Sequence, residues 1–160
     1  MRKLDEHTRG TPLSAINDPM FATGYSASKA YAQSKLANLM FGLELARRLE
    51  AAGSTVKAVS AHPGYSATHL QSTGPTGILR LVWKVTNLMA LKPSVGALSE
   101  VLAVAGSEAR NGAYYGPTRL GDTRGPVGDS RISEAAQGKE AAARLWTLSE
   151  ELLGITWTVD

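Results

Sequence analysis

Tyr31-Ala32-Gln33-Ser34-Lys35-Leu36-Ala37-Asn38-Leu39-Met40-Phe41, continued by Glu44-Leu45-Ala46-Arg47-Arg48-Leu49 and closed by Ala61-His62-Pro63-Gly64, is the stretch whose reading decides the fold. Leu36, Leu39, Met40, Leu43, Ala46 and Leu49 recur at steps of three and four and therefore share one helical face. Ala, Leu, Met, Glu and Arg dominate, all good helix formers. Glu44 precedes Arg48 by one turn, the favourable order for an ion pair. The spacing predicts a helix over 31–52, with Gly53 as the residue that ends it. Thr55 to Ala61 carries Val56, Ala58 and Val59 and reads as a short buried strand, stopped by Pro63-Gly64. Helix, strand and a glycine turn at the strand's C-terminal end make half of a βαβ repeat.

Working outward, residues 1–30 are punctuated by Gly10, Pro12, Pro19 and Gly24 and read as loop. Residues 65–76 are a Ser/Thr/Gly-rich loop. Ile78 to Leu91 is amphipathic, with Ile78, Leu81, Val82, Val85, Leu88 and Met89 on one side. A helix is expected from Pro93 to Gly106 and a short strand at Ala113-Tyr114-Tyr115. Loop is expected over 116–130, and a last helix from Ser133 to about Leu153, capped by Gly154 and followed by an extended tail over 155–159. No repeat and no change of composition divides the chain, so one domain over 1–160 is expected.

Composition narrows the function classes. Cysteine is absent, which excludes disulfide frameworks, thiolate zinc sites and cysteine nucleophiles. The net charge of +3 is small, and no basic run exceeds Arg47-Arg48, so a nucleic-acid partner is not expected. Met1 to His7 is charged and leads into no apolar segment. No stretch reaches the roughly 18 apolar residues of a membrane span. A cytoplasmic location without membrane association is the resulting expectation. His62 and His69 flank a Pro-Gly turn, a pattern more often structural than metal-binding, and no metal is expected.

Tyr31 and Lys35 stand four residues apart at the start of the helix, on one face and one turn from each other. A phenol is a poor base at neutral pH, and a neighbouring cation favours its ionised form. Such a pair can donate or accept a proton near neutrality, as carbonyl/alcohol interconversion requires. The spacing alone is weak evidence, since most such pairs are solvated surface, and Tyr25 and Lys29 repeat it.

The run from Tyr31 to Phe41, the Glu44–Leu49 segment, Ala61-His62-Pro63-Gly64-Tyr65-Ser66-Ala67-Thr68, Tyr114-Tyr115-Gly116-Pro117 and Arg144-Leu145-Trp146 together resemble the short-chain dehydrogenase/reductase family, and within it the retinol-dehydrogenase-like branch. The resemblance covers about residue 16 to the end. It implies an α/β fold, the C-terminal half of a Rossmann-like doubly wound parallel sheet. It also implies an NAD(P)-dependent oxidoreductase acting on a small alcohol or carbonyl, leaning to NADP. Tyr31 would be the general acid/base, and Lys35 would lower the phenol's pKa and bind the nicotinamide ribose. Pro63, Gly64, Ser66 and Thr68 would line the cofactor, with 31–69 as catalytic helix, strand and turn, 70–91 as a substrate lid and 92–160 as C-terminal helices. Tyr25-Lys29 falls to loop. The family's glycine-rich βαβ units and its catalytic serine have no counterpart before Tyr31, and Ser14 in its Pro-bounded loop is a poor substitute. Two readings stay open: half of an enzyme, or a non-catalytic remnant or interaction module that holds no cofactor. Either would leave a sheet edge open to self-association or a homo-oligomer.

Overall fold

The structure, a computed structural model, describes residues 18–64 and 92–158. The expected lid over 70–91, together with Ser66, Thr68 and Ser14, lies outside the described residues. The chain divides into two compact units, one of residues 1–58 and 132–160 and one of 59–131.

Helix α1, Ala27–Ala51, organises the first unit. It starts four residues before the periodic pattern because Ser26 is already in the extended conformation of an N-cap and Ala27-Ser28-Lys29-Ala30 are compatible with a first turn. Lys29 is therefore helical, which corrects its assignment to loop. Gly53 ends the helix in the left-handed region at φ 68°. The Ser54 N–H donates to the Leu49 carbonyl at 3.0 Å and the Gly53 N–H to that of Glu50 at 3.0 Å, satisfying carbonyls the helix leaves open.

The last segment of the unit was expected as one helix and is two. Four-residue Glu134–Gln137 and fifteen-residue Lys139–Leu153 meet at extended Gly138. Only the longer one is needed below and is called α2. Ser133 opens the segment as expected, its Oγ accepting the Ala136 N–H at 3.4 Å. Gly154 closes it at φ 65°. Met40 of α1 is fully buried with Ala136 and with Ala142 of α2, and Leu36, Leu39 and Leu43 pack around them. Glu44 is buried on the same helix, but Arg47 Nη2 at 3.0 Å and Arg48 Nε at 2.9 Å neutralise it. Arg48 then lies over the Trp146 ring, 4.4 Å from its centroid. The tail does not run free: Trp157 stacks on Trp146 at 5.1 Å and on Phe41 at 6.1 Å. Its N–H donates to Glu150 Oε1 at 2.8 Å.

In the second unit a three-stranded sheet runs in the order β1-β2-β3. Strand β1 is only Ser60–Ala61, shorter than the expected 55–61, and pairs in parallel with β2, Tyr114–Arg119. Among the described residues β1 has this one partner, and the ladder pairs only Ser60 with Tyr114 and Ala61 with Tyr115. Strand β3, Arg124–Asp129, returns antiparallel to β2, Tyr115 opposite Asp129 and Arg119 opposite Arg124. The sheet is thus mixed, not purely parallel. The hairpin overturns the expectation of loop over 116–130. Its glycines and prolines serve a turn and close approaches: Leu120, Gly121 and Asp122 all take positive φ at the connection. The helix expected over 93–106 divides at Ala97 into Pro93–Gly96 and Leu98–Ala105, and the latter packs on all three strands. Buried Tyr115 ties the preceding loop to β2, its hydroxyl donating to the Glu108 carbonyl at 3.3 Å and accepting the Arg110 N–H at 3.2 Å.

Met40 leaves no accessible surface and is the largest side chain of its buried cluster with Ala136 and Ala142. Met40→Ala is expected to destabilise the protein by about 2–5 kcal/mol in urea unfolding, the range for a buried Met→Ala cavity. A loss below about 1 kcal/mol would mean that the helix is anchored elsewhere.

Candidate active site

The face of α1 opposite Met40 carries Tyr31 and Lys35. Tyr31 is 56% exposed. Lys35 Nζ lies 5.5 Å from the centroid of the Tyr31 ring, within cation–π range, so one helical turn brings ammonium and phenol together as the spacing predicts. Ser34 between them donates its hydroxyl back to the Tyr31 carbonyl at 2.8 Å and turns away from the pair. Tyr25 precedes the helix, and its ring meets Phe21 edge-on at 6.1 Å and 78°. The loop carrying Phe21 is built on Asp18, whose carboxylate accepts from Ala22 N at 2.7 Å, Thr23 N at 3.0 Å and Thr23 Oγ1 at 2.6 Å. These bonds, the Thr23 hydroxyl's first, hold the Asp18 carboxyl below the usual carboxylate range.

Pro63 and Gly64 follow β1 in the second unit. Pro63 is exposed and Gly64 takes φ +69°. A Cβ at Gly64 would lie 2.6 Å from Pro117 Cγ and 2.6 Å from the Thr123 carbonyl oxygen, so only glycine fits beneath the hairpin. The Gly64 N–H donates to His62 Nδ1 at 3.2 Å, and His62 Nε2 meets Ser130 Oγ at 2.9 Å. Because Nδ1 accepts, the neutral ring carries its proton on Nε2 and donates it to Ser130. Tyr114 packs on the imidazole at 4.9 Å. A Cβ at Gly116 would come within 2.0 Å of Nε2, so Gly116 exists to seat this ring.

Burial pushes the His62 pKa below its ordinary value, while the negative charges of Asp122 and Glu100 pull it back up. Burial, with Asp122, pushes the Tyr114 phenol upward. His62 and Ser130 are the residues that sequence reading missed as a pair. The signal available was a histidine two residues before the glycine of a turn, an acceptor at the reach an Asn or Asp uses.

Comparison with known proteins finds relatives of the chain. No protein-family model matches the chain. Mouse retinol dehydrogenase 12 is 34% identical over 135 residues, which cover 83% of this chain and 39% of that protein. A short chain dehydrogenase/reductase of Macrophomina phaseolina is 29% identical over 158 residues, 91% of this chain and 71% of that one. The chain is homologous to short-chain dehydrogenase/reductases. It spans about two-fifths of the length of the mammalian relatives it matches. A crystal structure of an uncharacterized Mycobacterium Paratuberculosis protein superposes with a TM-score of 0.67 at 32% identity, covering 90% of this chain and 46% of that one. Among the described residues, no helix is long and apolar enough to cross a membrane.

Two outcomes follow from the packing of His62. The unfolded chain takes up a proton on this ring near pH 6.5, whereas the fold takes it up only at lower pH. The unfolded state therefore binds more protons in that window, and the contribution of neutral His62 is complete above about pH 6.5 and lost as pH falls through the folded value. Urea unfolding between pH 7.5 and 5 should show stability falling with acid, and His62→Gln should flatten part of that slope; an unchanged slope contradicts the packing described. Gly116→Ala should cost about 1–3 kcal/mol by overpacking, and the cost should shrink in a His62→Ala background, since the two positions compete for one space. Strict additivity would show that the ring is not what Gly116 accommodates.

Proposed function

We propose that this chain forms the proton-handling and nicotinamide-facing part of an NAD(P)-dependent oxidoreductase that interconverts an alcohol and a carbonyl. The observation that carries the reading is the Lys35 ammonium over the Tyr31 ring on the exposed side of a helix whose other side is buried. In the reducing direction Tyr31 Oη gives its proton to the carbonyl oxygen, and in the oxidising direction the phenolate takes the proton of the alcohol. Lys35 stabilises the charge on that oxygen and offers N–H donors to the ribose hydroxyls.

The exposed ammonium and the exposed phenol are a donor and a donor/acceptor, which suits the ribose of a nicotinamide riboside. When bound, the nicotinamide supplies or accepts the hydride. Pro63 and Gly64 would present their backbone to its ring, with Ser66 and Thr68 beyond them in the chain. The family relationship supports β1 as a strand of a doubly wound sheet, with the hairpin of β2 and β3 added to it. The names of the mammalian relatives favour a long apolar alcohol such as retinol as substrate.

A chimera tests the assignment without depending on the rest of the chain. Residues 27–64 replace the matching segment of mouse retinol dehydrogenase 12, and dehydrogenase turnover is retained. Tyr31→Phe in that chimera is expected to lower kcat by about 10²–10⁴-fold, the contribution of a positioned proton donor, while cofactor affinity holds within about threefold. Retained turnover in Tyr31→Phe would move the acid/base role elsewhere, with Tyr25 the next residue to test.

A further inference from the structure

The second unit contains a histidine with both ring nitrogens engaged and a pocket shaped around it. His62 Nδ1 accepts the Gly64 N–H two residues ahead at 3.2 Å, and Nε2 reaches Ser130 Oγ, 68 residues away, at 2.9 Å. Ser130 is itself fixed, buried and donating its N–H to the Tyr114 carbonyl at 2.8 Å. Tyr114 covers one side of the imidazole, and Gly116 leaves the room it occupies. The His62 N–H donates to the Tyr115 carbonyl at 2.9 Å, which ties the same residue into the β1/β2 ladder. Gly64 is enclosed from the other side by Pro117 and Thr123. Between these constraints the Gly64 amide meets an unprotonated ring nitrogen.

We propose that His62 is the positioning residue of the Pro63-Gly64 turn: held by Ser130, its neutral ring fixes the backbone that faces the nicotinamide and releases it when protonated. The functional meaning rests on the cofactor reading above; the lock itself does not. A doubly protonated imidazole has only donors, so its Nδ1–H would oppose the Gly64 N–H. The groups facing the ring are the Tyr114 phenol from β2, the Asp122 carboxylate from the hairpin connection and the Glu100 carboxylate from the Leu98–Ala105 helix. The two carboxylates favour the protonated ring and burial opposes it, so the turn is poised for release on acidification.

Amide hydrogen exchange at Gly64 in the 160-residue chain reads the lock directly, and NADPH titration followed by NMR reads its consequence. His62→Leu should speed Gly64 exchange by about three- to tenfold, the worth of one hydrogen bond, and weaken NADPH by a similar factor. His62→Asn places a carbonyl oxygen within reach of the same N–H and should stay within about threefold of the wild type on both readouts. Ser130→Ala should fall between them. Equal acceleration in His62→Asn and His62→Leu, or none in either, overturns the proposal. Should His62→Leu not fold, the wild type decides: Gly64 protection, corrected for intrinsic rate, must fall in step with the ring's own titration, and protection that outlasts that titration overturns it. Exchange in the expected order with no NADPH response supports the lock and contradicts the cofactor reading alone.

Discussion

Burial of one side of helix α1 is the constraint on which the first unit depends. Met40 sits without accessible surface between Ala136 and Ala142, and a methionine against two alanines permits close approach of the segments. Glu44 lies one turn further along the same side and is tolerated there because two arginines meet its two oxygens. One of them carries the link onward to Trp146 and, through the stacked rings, to Trp157 and Phe41. A helix held this way has a defined rotation about its axis. That rotation leaves Tyr31 and Lys35 on the exposed side, one turn apart, without further machinery to aim them.

The second unit solves a different problem, how to hold an irregular turn after a two-residue strand. The ladder is too short to do it, since β1 contributes Ser60 and Ala61 alone. Side-chain chemistry takes over from backbone pairing. His62 substitutes for the missing ladder by accepting from Gly64 and reaching Ser130, while Gly64 and Gly116 make room by having no side chain. The hairpin is thus a platform for the turn, and its glycines mark points of approach.

The same contrast explains what the sequence disclosed. Helix α1 was legible because its apolar residues keep a 3.6-residue period over many turns, and its end because Gly53 must be left-handed. The Tyr31–Lys35 pairing followed from helical geometry alone. The hairpin was not legible, because Gly116, Pro117, Gly121, Gly125 and Pro126 are the residues that ordinarily interrupt strands, and what they accommodate is distant in the chain. Ser130 could not be matched to His62 across 68 residues by any local pattern. The return of Trp157 onto Phe41 likewise depends on packing, since five residues of Ile-Thr-Trp-Thr-Val composition read as extended chain. Lys29 was misplaced because a helix start without a side-chain cap bond leaves little local trace.

The central proposal is that Tyr31 and Lys35 face the nicotinamide end of the cofactor. NMR titration of the 160-residue chain with two halves of that molecule tests it most directly. Reduced nicotinamide mononucleotide should shift the Tyr31 ring signals along a saturation curve, while adenosine 2′,5′-bisphosphate leaves them unmoved. Shifts caused by the adenosine half, or no response to the nicotinamide half, would contradict the account.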